Sequence, residues 1–236
     1  MRDAWRHFAA EFIGIFALVF VGGASIMSSK LAASNYVLLT AAMAHGLILA
    51  IMVTATMRIS GHLNPAVTIG FLVTRRIEPM MAALYIVAQL FGAVVAAYAL
   101  QAVFPHAIAV STRLGGQAIA LDVTMGQAIL CEAIATFFLM FVVFGTAVDP
   151  AAPKVGGFAI GLTVAADILA IGPLTGASMN PARSFGPAAV SGIFEAQAVY
   201  WAGPILGAIA AALLYDQLFL RRGKEQADHG AVRPQE

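Results

Sequence analysis

"MNPARSFGPA" (Met179–Ala188) and "LNPAVTIG" (Leu63–Gly70) place Asn-Pro-Ala twice within apolar sequence, where asparagine and proline are both unfavourable. Asparagine is a strong helix N-cap. Proline suits the first helical position, where its missing N–H costs nothing. Each Asn-Pro-Ala therefore reads as the start of a helix. The apolar pieces that follow, Pro65–Thr74 and Pro181–Ser191, are about half the ~20 residues needed to cross a bilayer. The second copy alone continues into an arginine, Arg183.

The rest of the chain says where such half-helices sit. Of its 236 residues 61% are hydrophobic and 11% charged, and mean hydropathy is +0.87. Soluble domains carry about 25% charged residues. The chain is therefore an integral membrane protein. A net charge of +1 without a long basic run gives no reason to expect nucleic acid. The single cysteine, Cys131, allows no intrachain disulfide and reads as a packing residue. The first apolar stretch is too long for a signal-peptide core and contains Glu11, so it reads as a retained span.

Six stretches qualify as spans: Phe8–Met27, Tyr36–Met57, Met81–Phe104, Gly126–Val148, a short Val155–Ile171 and Gln197–Leu220. Together they form one transmembrane domain over 1–220, followed by a polar tail, 221–236, expected to be cytoplasmic and disordered. The domain repeats internally, with halves over 1–104 and 126–220. Glu11 in "AEFIGIFALVFVG" matches Glu132 in "CEAIATFFLMFVVFG", Asn64 matches Asn180, and "AQLFGAVVA" (Ala88–Ala96) matches "GPILGAIAA" (Gly203–Ala211). Three spans per half force the halves into opposite orientations, giving an inverted repeat. Arg2, Arg6, Arg58, Arg75, Arg76, Lys154, Arg221, Arg222, Lys224 and Arg233 fall on one side, and Lys30 and Arg113 on the other. The positive-inside rule then puts both termini in the cytoplasm. That bias and the short tails suit a bacterial plasma membrane, with a eukaryotic internal membrane as the less favoured alternative.

Non-helical backbone at membrane depth must line a protein cavity. Two half-helices entering from opposite faces meet near the midplane, N-terminus to N-terminus. Each end carries roughly +0.5 of an elementary charge and unsatisfied N–H groups. Cations are repelled there. The Asn64 and Asn180 amides can donate hydrogen bonds to a neutral molecule. A water held by both must use its oxygen as acceptor, which interrupts proton hopping.

With "ISGHLNPAVT" and "GPLTGASMNPARSFGPA" on the page, the chain resembles the aquaporins, or major intrinsic proteins, from Glu11 to about Leu220. The resemblance implies an all-α membrane fold of six tilted helices and two re-entrant half-helices, with one pore per chain and four chains in a homotetramer. Asn64, Pro65, Ala66, Asn180, Pro181 and Ala182 are then the paired pore motifs. Ser184 and Ala188 stand where glycerol facilitators carry an acid and a base, and Tyr200 and Trp201 also resemble the water-channel pattern. A glycerol facilitator is the less favoured branch. The family's outer selectivity filter maps onto His45, Ile168, Ala177 and Arg183. The placement of His45 requires a one-residue gap in the loop at Ser60-Gly61-His62. This set resembles the plant tonoplast intrinsic subfamily. It implies passage of water and of small neutral solutes such as ammonia or urea, with protons and ions excluded. The family's mercury-sensitive cysteine, when present, occupies the Ala177 position, so weak mercury inhibition is expected.

Glu11 and Glu132 read as acceptors for the re-entrant loop backbones, with a proton relay as the less favoured role. Asp167 reads as an inter-helix or loop contact rather than a pore charge. His62 reads as structural. His106, in the long outer connection, is either solvated or reaches the filter. Two rival classes remain: an intramembrane hydrolase built on His45 and Asp167, and a proton-coupled transporter using the two glutamates. The first lacks a nucleophile motif or metal-spaced ligands, so no enzyme activity, cofactor or metal is expected. The second requires solute accumulation, which a passive pore does not produce.

Overall fold

Helices form where the sequence is apolar and largely uncharged, and several begin where it supplies a cap or a proline. In the computed structural model, which describes residues 3–153 and 155–221, α1 spans Ala4–Leu31, α2 Val37–Thr56, α3 Pro65–Val73, α4 Pro79–Val103 and α5 His106–Ser111. Then follow α6, Met125–Val143, α7, Gly156–Thr175, α8, Pro181–Ser191, and α9, Gln197–Tyr215. The expected tail beyond 221 lies outside the described residues. Helices α3, α4 and α8 each start on a proline, behind Asn64, Glu78 and Asn180. Helix α6 starts on a capping box, Thr124 with Gln127. The spans starting at α6 and α9 each end in a π-helical turn, Phe144–Val148 and Asp216–Arg221.

Six helices are long and apolar enough to cross a membrane. Only 33–50% of the most apolar window of each is buried within the chain, so the remaining faces are left for lipid or neighbouring chains. Two details differ from expectation. Helix α7 runs through Pro173 to Thr175 and stops at Gly176, whose φ of +76° provides a left-handed C-cap. A proline one turn from the end removes a single backbone bond, too little to stop the helix earlier. The connection after α4 contains α5 and a short 3₁₀ turn, Arg113–Gly115, too brief to show a periodicity in sequence.

The helices pair in a way that follows the repeat. Helix α1 packs on α2 and α4, as α6 packs on α7 and α9, and α2 meets α7 across the two halves. Each half-helix packs on a long helix of the other half, α3 against α9 and α8 against α4. Between lipid-exposed helices the attraction comes from close packing rather than water exclusion. Gly92 on α4 lets the backbone of Phe12 on α1 approach, and Gly207 on α9 does the same for Ala133 on α6. A side chain at either position would collide with a carbonyl oxygen.

Candidate functional site

The two re-entrant segments meet at their asparagines. Asn64 caps α3 by accepting from Ala66 N at 2.9 Å. Asn180 caps α8 by accepting from Ala182 N at 3.0 Å and Arg183 N at 3.3 Å. Each amide then reaches across the repeat. Asn64 Nδ2 donates to the Met179 carbonyl, and Asn180 Nδ2 to the Leu63 carbonyl, both at 2.8 Å. A carboxamide has two N–H groups, so each asparagine keeps one for a molecule in the cavity that both line. The crossed carbonyls are delivered by a strained backbone. Leu63 and Met179 have φ of 49° and 53°, which costs roughly 1–2 kcal/mol for each residue with a Cβ.

Buried glutamates hold that strain. Glu11 accepts from His62 N at 2.8 Å, Leu63 N at 2.7 Å and Gln89 Nε2 at 2.6 Å, and also from the Ser60 hydroxyl. Glu132 accepts from Ser178 N at 2.8 Å, Met179 N at 2.6 Å and Thr175 Oγ1 at 2.7 Å. Both left-handed residues are therefore fixed at the N–H by a carboxylate and at the carbonyl by the opposite asparagine. Without those carboxylates the loop N–H groups would be buried and unpaired.

A narrow cavity of about 30 Å³ runs through this region, room for about two or three water molecules in line. Its walls are mostly apolar: Leu18, Leu49, Val53, Val67, Leu139, Val143, Ile160 and Val164. Polar groups come from the re-entrant segments, at Gly61, His62, Asn64, Ser178 and Asn180. On the side carrying Lys30, called outer here, a vestibule of about 310 Å³ is lined by Ile26, Ala41, Ile168, Gly172 and Arg183, among others. Among the described residues Arg183 alone lines both spaces. Its Nη1 donates to the Ala177 carbonyl at 2.6 Å. Ile168 thus faces the vestibule, and Ala177 acts through its backbone. His45 lines neither space, yet it lies on the α2 stripe Ala41, His45, Leu49, Val53, whose other members line one or the other. Its Nδ1 donates to the Ala41 carbonyl at 2.7 Å.

His62 borders the cavity with its ring between Phe71 and Tyr85 and its Nδ1 3.1 Å from Thr68 Oγ1. His106 is exposed at the start of α5 and takes no part in this region. The residue that does arrive from the outer connection is Gln117, which the sequence reading missed. A Cβ built on Gly176 would lie 2.9 Å from Gln117 Cβ. The same connection is pinned to the last turn of α7, just before that glycine, by Ala120 N donating to Leu174 O at 2.9 Å. Polarity and a position before α6 are weak signals, so nothing in the sequence marked Gln117. Asp167 is buried, with one carboxylate oxygen lacking a hydrogen-bond partner.

A bundle that crosses the bilayer six times around an apolar-walled cavity, with two facing half-helices at its waist, is a channel. A sequence model of the family "Major intrinsic protein" matches residues 1–215. The chain is 45% identical over 228 residues to "Aquaporin TIP4-4" of Zea mays, covering 92% of this chain and 88% of that protein. It is 39% identical over 246 residues to "Probable aquaporin TIP3-2" of Arabidopsis thaliana, covering 98% and 90%. The crystal structure of an aquaglyceroporin from Plasmodium falciparum superposes with a TM-score of 0.79 at 23% identity, over 94% of this chain and 99% of that one, a likeness of fold. The chain belongs to the major intrinsic protein family, whose members are aquaporin channels and not enzymes.

The relatives also correct one expectation. They are TIP-type aquaporins of plants, against a bacterial plasma membrane. The lysine and arginine bias reports which face of a bilayer meets the cytoplasm, and it is the same for any membrane bordering that compartment. It therefore carried no information about the membrane itself.

Proposed function

We propose that the channel conducts water and small neutral solutes, ammonia and urea among them, and excludes protons and ions. The observation that carries this reading is the position of Arg183, which lines both the vestibule and the narrow cavity. A fixed guanidinium there repels cations and donates hydrogen bonds to a water or a carbonyl oxygen. Ile168 shares the vestibule lining with it, the small Ala177 lies beside it and accepts from it through its carbonyl, and His45 is on the α2 stripe. An aliphatic side chain and a methyl leave a wider and less polar aperture than a pair of aromatic rings. A solute with one acceptor and modest width is therefore not stripped of all its partners on the way through.

Beyond this aperture the wall is mostly apolar, and the Asn64 and Asn180 N–H groups are among the polar contacts that the re-entrant segments supply. A water accepting from both has its oxygen committed, and the positive ends of α3 and α8 oppose a hydronium. TIP-type relatives support the water-channel branch. We further propose that four copies assemble, each with its own pore, as the family resemblance implies.

The test is stopped-flow permeability in proteoliposomes, comparing the protein with a His45→Phe/Ile168→His variant. Two rings in the aperture should lower urea and ammonia flux about tenfold or more, on the scale of size discrimination in a shaped pocket, while water still passes. Unchanged urea and ammonia flux would remove these residues from the filter. Solute accumulation driven by a pH gradient would replace the passive channel by a coupled transporter.

A further inference from the structure

The cavity walls can be compared level by level, because the lumen-facing residues recur every four positions. On α7 the stripe is Ile160, Val164, Ile168 and Gly172, and on α2 it is Ala41, Leu49 and Val53, with His45 at the intervening step but set back from both spaces. On α1, Leu18 lines the narrow cavity and Ile26 the vestibule. Midway between them is Gly22, level with His45. A Cβ built on Gly22 would lie 2.6 Å from His45 Cε1, and closer still to Nε2 and Cδ2. The imidazole therefore occupies the space that a side chain at position 22 would fill. Its Nδ1 edge is tied to Ala41 O at 2.7 Å, and its other edge rests on bare α1 backbone.

We propose that Gly22 is a size-determining position of the channel. By leaving α1 bare at this level it lets the His45 ring draw back from the lumen, and so sets the width between His45 and Arg183. The proposal rests on the filter reading given above. Helix α2 has no room to move away, because Gly46 lies against the Gly161 carbonyl and Ala165 of α7. A methyl at position 22 must therefore rotate the ring, and the open direction is the lumen. Gly92 and Gly207 differ in kind. Their missing side chains admit neighbouring backbone, so substitution there costs stability and does not reshape the aperture.

As a positioning residue, Gly22 is tested by a ratio that a packing role would not move. Gly22→Ala, His45→Ala and the double variant are reconstituted, and urea and water permeabilities are measured by stopped flow alongside thermal unfolding. Gly22→Ala should lower the urea-to-water ratio about tenfold, the effect of one methyl group in a tight site. His45→Ala should raise it, and the double variant should regain at least the parent ratio. A folded Gly22→Ala protein with an unchanged ratio overturns the proposal. If Gly22→Ala does not fold, the double variant decides, since removing the ring should restore both fold and ratio. A double variant as unfolded as the single one overturns the proposal. A His45→Ala protein with an unchanged ratio instead overturns the filter reading, and this inference with it.

Discussion

The two halves use one backbone device with different side chains. In the first, Asn64-Pro65-Ala66 runs into Val67; in the second, Asn180-Pro181-Ala182 runs into Arg183. Both Val67 and Arg183 are buried and both line the narrow cavity. The repeat thus makes a symmetric waist, and in the proposed reading a single position turns one half into a passage and the other into a filter. Support differs too. Gln89 donates to Glu11, but the equivalent place beside Glu132 is Pro204, which offers no donor. Gln89 Oε1 is itself buried without a partner.

That difference predicts unequal damage. Glu132→Ala should be the most harmful change, because it strands two loop N–H groups at roughly 1–3 kcal/mol each with no neighbour to replace the carboxylate. Glu11→Ala should cost less, since the Gln89 amide oxygen can turn to accept a loop N–H. Thermal unfolding in detergent checks the order, and equal losses would break the comparison. Asp167→Asn should have a smaller effect. Its unpaired oxygen is costly to bury as a charge, so the neutral amide should leave the melting temperature equal or higher and water flux within about twofold, on the scale of a change away from the contacts that matter. A collapse of water flux would put the carboxylate in the path. Smallest of all, Cys131 borders neither the cavity nor the vestibule among the described residues. Mercury should inhibit weakly, with or without Cys131→Ser, and a strong block abolished by that substitution would place Cys131 at the pore.

Much of this was legible in sequence because membranes constrain it so tightly. Length and hydropathy mark the spans, and Asn-Pro-Ala marks both half-helices, Pro181–Ser191 to the residue. The glutamates announced themselves as carboxylates in apolar helices. What was not legible depends on contacts between distant segments. The crossed asparagine–carbonyl bonds need the three-dimensional meeting of Leu63 with Asn180. Gln117 reaches the second re-entrant segment through a connection without periodicity. Gly22 reads as one more small residue until His45 is seen against it.

The central claim is that one side chain separates a plain passage from a selective one. Arg183→Val gives the second half the residue of the first and leaves the asparagine waist intact. Stopped-flow measurement of water, urea and proton permeability in proteoliposomes should show water flux retained, urea flux raised and a proton or cation leak opened. A folded variant whose selectivity matches the parent would contradict the account.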